Sequence, residues 1–513
     1  MDTGSRTQRE AAGGYLHRGR VLFGLVLAMG LAAMDATIVS TAVPSIVRDL
    51  GGFSLFTWVF SIYLLVQAVM VPIYGKLSDL YGRKPVLFFG TGVFLLGSVL
   101  CGLSFSMISL IAFRAVQGVG AGAIQPTVTT LAGDMYDVRE RARIQGALSS
   151  VWGISAVVGP ALGGLLSEYA SWRWIFYINL PVGALALLVV GIYLKESVEK
   201  THHELDYQGA ALLALGVGLV IFGLLEGGVG WPWLSPQIVG VFVLAILLLA
   251  AFVRREHRAA EPTLPPWVFG RRLLVGANLS AAVLGLLTIG LTTFLPTYAQ
   301  GVLGAGAVAA GFSLAVMSIG WPLASTFSGR LYLRIGFRDT ALIGSLFCLA
   351  SGVVFSLLPQ SSPLWLATAG SFIMGLGLGL LSTPIVVGLQ QVVGWERRGT
   401  VTGANMFTRQ LGQAVGAALF GTIANSALLG WLSRAPSDIS GRVPHTVDAA
   451  SRLLGGNGAH TLDSQAASYV RHGLYLAAHH VFLALAAFAL LGIVVLLATP
   501  RRFEPLHFEK RGP

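Results

Sequence analysis

About fourteen apolar runs, most of them some twenty residues long and joined by short polar loops, decide what this chain can fold into. A helix rises ~1.5 Å per residue, so roughly twenty residues cross ~30 Å of hydrocarbon with every backbone group bonded inside the segment. The runs lie at 21–43, 55–74, 86–103, 107–133, 144–166, 174–194, 207–226, 237–253, 273–299, 306–326, 339–358, 364–390, 401–425 and 476–498. Only 11% of the residues are charged and 54% are hydrophobic, too apolar a balance for a soluble protein. The fold class is therefore an all-α, multi-pass membrane protein. Its 65 glycines suit membrane helices that pack backbone to backbone. A net charge of +11 would suit nucleic acid, but the cations sit in short loops beside apolar runs, where they set membrane orientation instead. Cys101 and Cys348 each fall inside an apolar run, which argues against a disulfide or a metal site.

Loop charge orients the chain. With both termini cytoplasmic, the loop cations on the outer side are Arg48, Arg173 and four in the segment 426–475, a long loop that escapes the charge rule. Trp172, Trp174, Trp231, Trp233, Trp365 and Trp431 then fall near outer ends, as an aromatic belt requires. Residues 1–20 are basic and lack a small-residue cleavage site, so they read as a cytoplasmic tail. The expected division is a tail 1–20, a six-helix half 21–194, an inserted helix pair 207–253, a cytoplasmic linker 254–272, a second six-helix half 273–498 with external loop 426–475, and a tail 499–513.

Between two of these runs lies Gly75-Lys76-Leu77-Ser78-Asp79-Leu80-Tyr81-Gly82-Arg83-Lys84-Pro85. Its glycines allow a tight reversal, its cations hold it on the cytoplasmic side, and Asp79 is suited to a helix N-terminus, where the dipole favours an anion. The pattern returns at Gly329-Arg330-Leu331-Tyr332-Leu333-Arg334-Ile335-Gly336, with Leu333 in the place of Asp79. A second echo joins Gly159-Pro160-Ala161-Leu162-Gly163-Gly164 to Gly416-Ala417-Ala418-Leu419-Phe420-Gly421. Two echoes at nearly one offset imply two related halves. The loop closely resembles the signature loop of the major facilitator superfamily of transporters.

Asp35 lies deep in the first run, and a carboxylate there calls for a role or a partner. Arg114, in the fourth run, sits at matching depth in a helix of opposite direction, which makes it the natural partner. Burial raises a carboxyl's proton affinity and a nearby guanidinium lowers it, so movement of one against the other would time proton release. Met34-Asp35-Ala36-Thr37-Ile38-Val39 with Ala42-Val43-Pro44 is similar to the first-helix signature of the drug:proton antiporters with 14 spans. Arg114-Ala115-Val116-Gln117-Gly118 resembles the superfamily's fourth-helix signature, and Gly159, Pro160, Gly163 and Gly164 resemble its antiporter motif. Gly159 and Gly163 make a small-xxx-small face, expected to seal the halves against each other and to hinge at Pro160.

The resemblance implies the major facilitator fold and proton-driven export of amphipathic compounds, with no cofactor, in a bacterial cytoplasmic membrane. The expected substrates are lipophilic cations and neutral amphipaths, and the working unit a monomer. Asp35 and Arg114 would couple the proton. Gly75, Asp79, Gly82, Arg83, Lys84 and Asp134 would form the gate, with Asp134 pairing Arg83 and the N-terminus of the helix near Thr400 receiving Asp79. Gln117, Asn405, Arg409, Gln413 and Glu226 are candidates for the cavity lining. The same motifs also fit a dedicated exporter of a host metabolite, siderophore, antibiotic or lipid. A non-transporting sensor or scaffold has no need of a buried titrating pair, and no catalytic constellation points to an enzyme.

Overall fold

The computed structural model describes residues 17–51, 56–196, 206–227, 231–259, 262, 264–436 and 464–504. The far tails and residues 437–463 of the expected outer loop lie outside the described residues. The helices are α1 (Arg18–Leu50), α2 (Phe56–Tyr81), α3 (Arg83–Gly102), α4 (Met107–Met135), α5 (Val138–Tyr169), α6 (Asn179–Tyr193), α7 (Tyr207–Glu226) and α8 (Pro236–Glu256). They continue with α9 (Arg272–Gly301), α10 (Ala307–Ile335), α11 (Phe337–Ser356), α12 (Leu364–Val392), α13 (Arg398–Leu432) and α14 (Ser464–Ala498). Thirteen membrane-crossing candidates among the described residues are long and apolar enough, α6 counting with the turn before it, and α7 adds a shorter apolar helix.

Helices α1–α6 pack into one half and α9–α14 into another, each around its own apolar core. Small residues bring the helices together. At Gly97 an added Cβ would lie 2.6 Å from the Gln117 backbone of α4, and at Gly120 it would strike the Phe94 backbone of α3. The turns between α2 and α3 and between α10 and α11 close on Gly82 and Gly336, at φ 93° and 92°, a conformation that L side chains resist. These two positions repeat the sequence echo in backbone geometry.

Two seams join the halves, α5 against α10 and α2 against α13. The inserted pair α7–α8 lies across the outside of the second seam. Leu213, Val217 and Ile221 of α7 share an apolar cluster with Ala68 and Val69 of α2 and Phe407 of α13. Asp206 begins α7, accepting the Gly209 N–H at 2.9 Å, and binds Arg255 of α8 at 3.1 Å.

The halves meet at the end that carries the Gly75–Pro85 loop. There Gly75 lies against Gly399, Ala142 against Gly329, and Gly153 against Ser318. Beyond Gly153, α5 exposes Ile154, Val157 and Leu165, and an added Cβ on Gly164 would meet nothing within 4 Å. Gly159 and Gly164 therefore do not make the contact between halves that the sequence suggested. Gly159 packs on Thr37 and Ile38 of α1, within its own half, and Gly146 and Gly153 carry the seam instead. The side chain of Pro160 is outside the described residues.

Helix margins also differ from the apolar runs. α13 continues to Leu432 and α14 begins at Ser464, so helix occupies both flanks of the expected 426–475 loop. Hydropathy marks only the part of a helix that lies in hydrocarbon, and a helix that leaves the bilayer keeps its backbone bonds in water.

Candidate functional site

Asp35 of α1 and Arg114 of α4 meet inside the first half with no exposed side-chain surface, Nη1 to Oδ2 at 2.5 Å. The pair is held from several sides. Gln117, one turn along α4, donates Nε2 to Asp35 Oδ1 at 2.8 Å and accepts from Arg114 Nη1 at 2.7 Å. Ser98 of α3 accepts from Gln117 at 2.8 Å, and Asn179 of α6 donates to Ser98 at 3.2 Å and to Asp35 Oδ1 at 3.4 Å. Arg114 Nε reaches the Val59 carbonyl at 3.2 Å, and its guanidinium lies 4.1 Å from the Tyr63 ring centre. Arg114 Nη2 and Tyr63 Oη are buried with no partner. In this state both carboxylate oxygens are engaged and shielded from water. Gln117 belongs to this network rather than to an open cavity wall. Ser98 and Asn179 went unnoticed in the sequence, where each is a single small polar residue in an apolar run.

The second constellation closes the loop end. Asp79, near the end of α2, takes the first N–H groups of α13: Gly399 N at 2.8 Å, Thr400 N at 2.6 Å and Thr400 Oγ1 at 2.7 Å. An anion at a helix N-terminus satisfies orphan donors and faces the positive end of the dipole. Arg83, fully buried, bonds Asp79 and Asp134 at 3.0 Å each, the Ser78 carbonyl at 2.9 Å and, across the seam, the Trp395 carbonyl at 2.6 Å. The Trp395 ring covers its guanidinium at 3.8 Å. Asp134 in turn accepts from Arg398 of the other half at 2.9 Å. Trp395 and Arg398 were missing from the sequence reading, because they gain meaning only when a loop 312 residues away in sequence arrives beside Arg83.

Lys84, expected in this gate, is not part of it. Its Nζ caps the C-terminus of α6 through Gly191 O at 2.9 Å and Leu194 O at 2.7 Å, while Glu196 accepts the Arg83 and Lys84 N–H groups that open α3. The cavity candidates also separate. Asn405 is buried and ties α13 to α9 through Ala277 O at 3.1 Å and Asn278 Oδ1 at 3.3 Å, so it braces helices rather than lining a cavity. Glu226 ends α7, which packs on the outside of the α2–α13 seam, away from the space between the halves. Arg409 and Gln413 are partly buried on α13.

Two bundles of related design, joined by a seam that closes at one end and holding a buried Asp35–Arg114 pair, are the architecture of a multi-pass membrane transporter. The sequence matches the Major Facilitator Superfamily over residues 25–210 and 207–417. It is 37% identical to Multidrug resistance protein 3 of Bacillus subtilis, over 82% of each chain. It is 34% identical to Multidrug transporter protein MdtP of the same organism, over 80% of this chain and 76% of the relative. The fold superposes on the human organic anion transporter MFSD10 with a TM-score of 0.62 at 16% identity, covering 94% of this chain and 99% of the other. The chain belongs to the major facilitator superfamily: it is a transporter and not an enzyme.

Proposed function

We propose that this protein is a multidrug exporter driven by proton entry, of the 14-span drug:proton antiporter branch, and that it needs no cofactor. The observation that carries this reading is Asp35, fully buried and neutralised by Arg114. A carboxylate in that position changes its proton affinity when its partner moves. Similarity to two Bacillus proteins named for multidrug resistance and multidrug transport supports the export direction. With both termini on the cytoplasmic side of a bacterial cytoplasmic membrane, the Asp79–Arg83–Asp134 end is the inner end. The present state is then closed inside and open outside. Protonation of Asp35 would release Arg114 and bias the halves toward the opposite state. One carboxylate in low dielectric offsets one positive charge, which suits neutral amphipaths and monovalent lipophilic cations.

The test is Asp35→Asn, close in shape but unable to cycle a proton. In vesicles, the variant inserts normally and substrate-induced proton release disappears. An unchanged proton signal in a well-expressed variant removes Asp35 from the coupling step.

A further inference from the structure

Resting on that exporter reading, we propose that Arg409 is a binding site for an anionic group on the substrate. The protein then takes amphipathic carboxylates, sulfonates and zwitterions beside the compounds named above. Arg409 lies eleven residues after Arg398 in α13, roughly 16 Å along the helix from the sealed end. At about 100° per residue, the faces of α13 can be assigned from their contacts. One face meets α9, where Asn405, Gly412 and Gly416 touch Ala277, Ala282 and Leu286. A second meets α2, where Gly399 and Gly403 touch Gly75. A third meets α7 through Phe407, Leu411 and Ala414.

Arg409 falls between the α9 and α2 faces, on the side away from α7. Thr402 shares that sector, and its hydroxyl meets Gln390 of α12, which also reaches the Thr129 carbonyl of the other half at 3.2 Å. That sector faces α12 and, through Gln390, the other half at Thr129.

Unlike Arg83 and Arg114, Arg409 lacks an acid. Arg83 and Arg114, the two fully buried arginines, each hold a carboxylate at 3.0 Å or closer. Arg409 makes no ion pair among the described residues, and its Nε is buried without a partner. On the adjoining α2 side Gln410 Oε1 is also buried and unpaired. The helix cannot easily rotate to relieve this. At Gly285 an added Cβ would strike the Arg409 carbonyl and lie 2.9 Å from Gln413 N, so α13 is pressed flat on α9. An unpaired cation at membrane depth is costly and marks a substrate pathway by default. Guanidinium forks onto carboxylate or sulfonate through two parallel N–H bonds, a recognition mode an ammonium lacks. Asp35 does not compete for the position, since it is bound to Arg114 on the opposite half.

The experiment measures equilibrium binding to the full chain in phosphatidylcholine nanodiscs, with no proton gradient. The probes are a fluorescent amphipathic carboxylate and its methyl ester. Wild type binds the acid at least tenfold more tightly than the ester. Arg409→Gln collapses that ratio to near one, and Arg409→Lys keeps part of it. Equal wild-type affinity for acid and ester overturns the proposal, as does a ratio untouched by Arg409→Gln. The acid–ester ratio cancels a general loss of folded protein, which a structural role would produce. Added phosphatidylglycerol that abolishes the preference reassigns Arg409 to a lipid headgroup and also overturns it. Failure of proton-driven transport with the binding ratio intact falls on the exporter reading instead.

Discussion

Replacing Asp79 with Asn tests how the closed end is held. The carboxylate accepts three hydrogen bonds from the start of α13 and one from Arg83, at 2.6 to 3.0 Å. Asn offers one accepting oxygen and a donating NH2, so whichever way it turns, donors of α13 face a donor. At least two bonds to a charged acceptor are lost, worth ~1.5–3 kcal/mol each. The dipole term of up to ~2 kcal/mol at a partly buried helix end goes with the charge. Water rehydrates the freed N–H groups once the seam parts, which cancels a large share. A net ~3 kcal/mol against the closed form remains, about two orders of magnitude in the ratio of states. Spin labels on exposed Arg143 and Glu396, one in each half at the loop end, report that ratio as a distance distribution. The variant gains a long-distance population and loses turnover more than substrate affinity. A distribution identical to wild type, or equal losses of turnover and affinity, would show that Asp79 does not latch the seam.

Two further outcomes follow from the same geometry. Lys84→Met removes the cap on α6, lowering thermal stability by about 1 kcal/mol while leaving the Arg143–Glu396 distances as in wild type; a shifted distribution would return Lys84 to the gate. In inverted vesicles a monovalent quaternary ammonium is transported several-fold faster than a rigid bivalent analogue of similar size, because Arg114 and Arg409 add positive charge opposite a single acid. Equal rates would mean that a second carboxylate reaches the cavity.

Much of the fold was legible because membrane crossing imposes one simple rule, a long apolar helix, and each of the fourteen runs has a helix in the structure. Depth along those helices alone also sets Asp35 opposite Arg114, where the structure pairs them. Lateral contacts were less legible. Gly159 reads as a packing surface from spacing alone, but spacing does not say whether α1 or α10 receives it, and the structure places it on α1. Lys84 sits beside Arg83 in sequence, yet one step along α3 turns it toward α6, so a charged pair in one motif divides between a gate and a cap. Asn405 and Arg409, one helical turn apart, divide similarly: the first finds a backbone carbonyl on α9, the second no acid at all.

The two halves repeat their backbone but not their latch. Gly82 and Gly336 make the same turn, and α2 and α10 run to it in the same way. Asp79 then reaches across to the N-terminus of α13, whereas Leu333 at the matching position is half exposed and has nothing to accept with. The helix that would need that acid is α5, and it carries its own: Asp137 stands at its N-cap, with Glu140 accepting the Asp137 N–H at 3.4 Å. Across the α5–α10 seam the contacts are small-residue packing at Gly146, Gly153 and Gly329, with a hydrogen bond from the Tyr332 hydroxyl to the Val138 carbonyl. Charged interactions between the halves are thus concentrated at α2–α13, where Asp79, Arg83, Asp134 and Arg398 form one connected network. Parting that seam breaks several charge-assisted bonds at once, while the other seam loses mainly van der Waals contact. A closed end held this way opens in a cooperative step, set by the one site where, among the described residues, buried charge crosses between the halves.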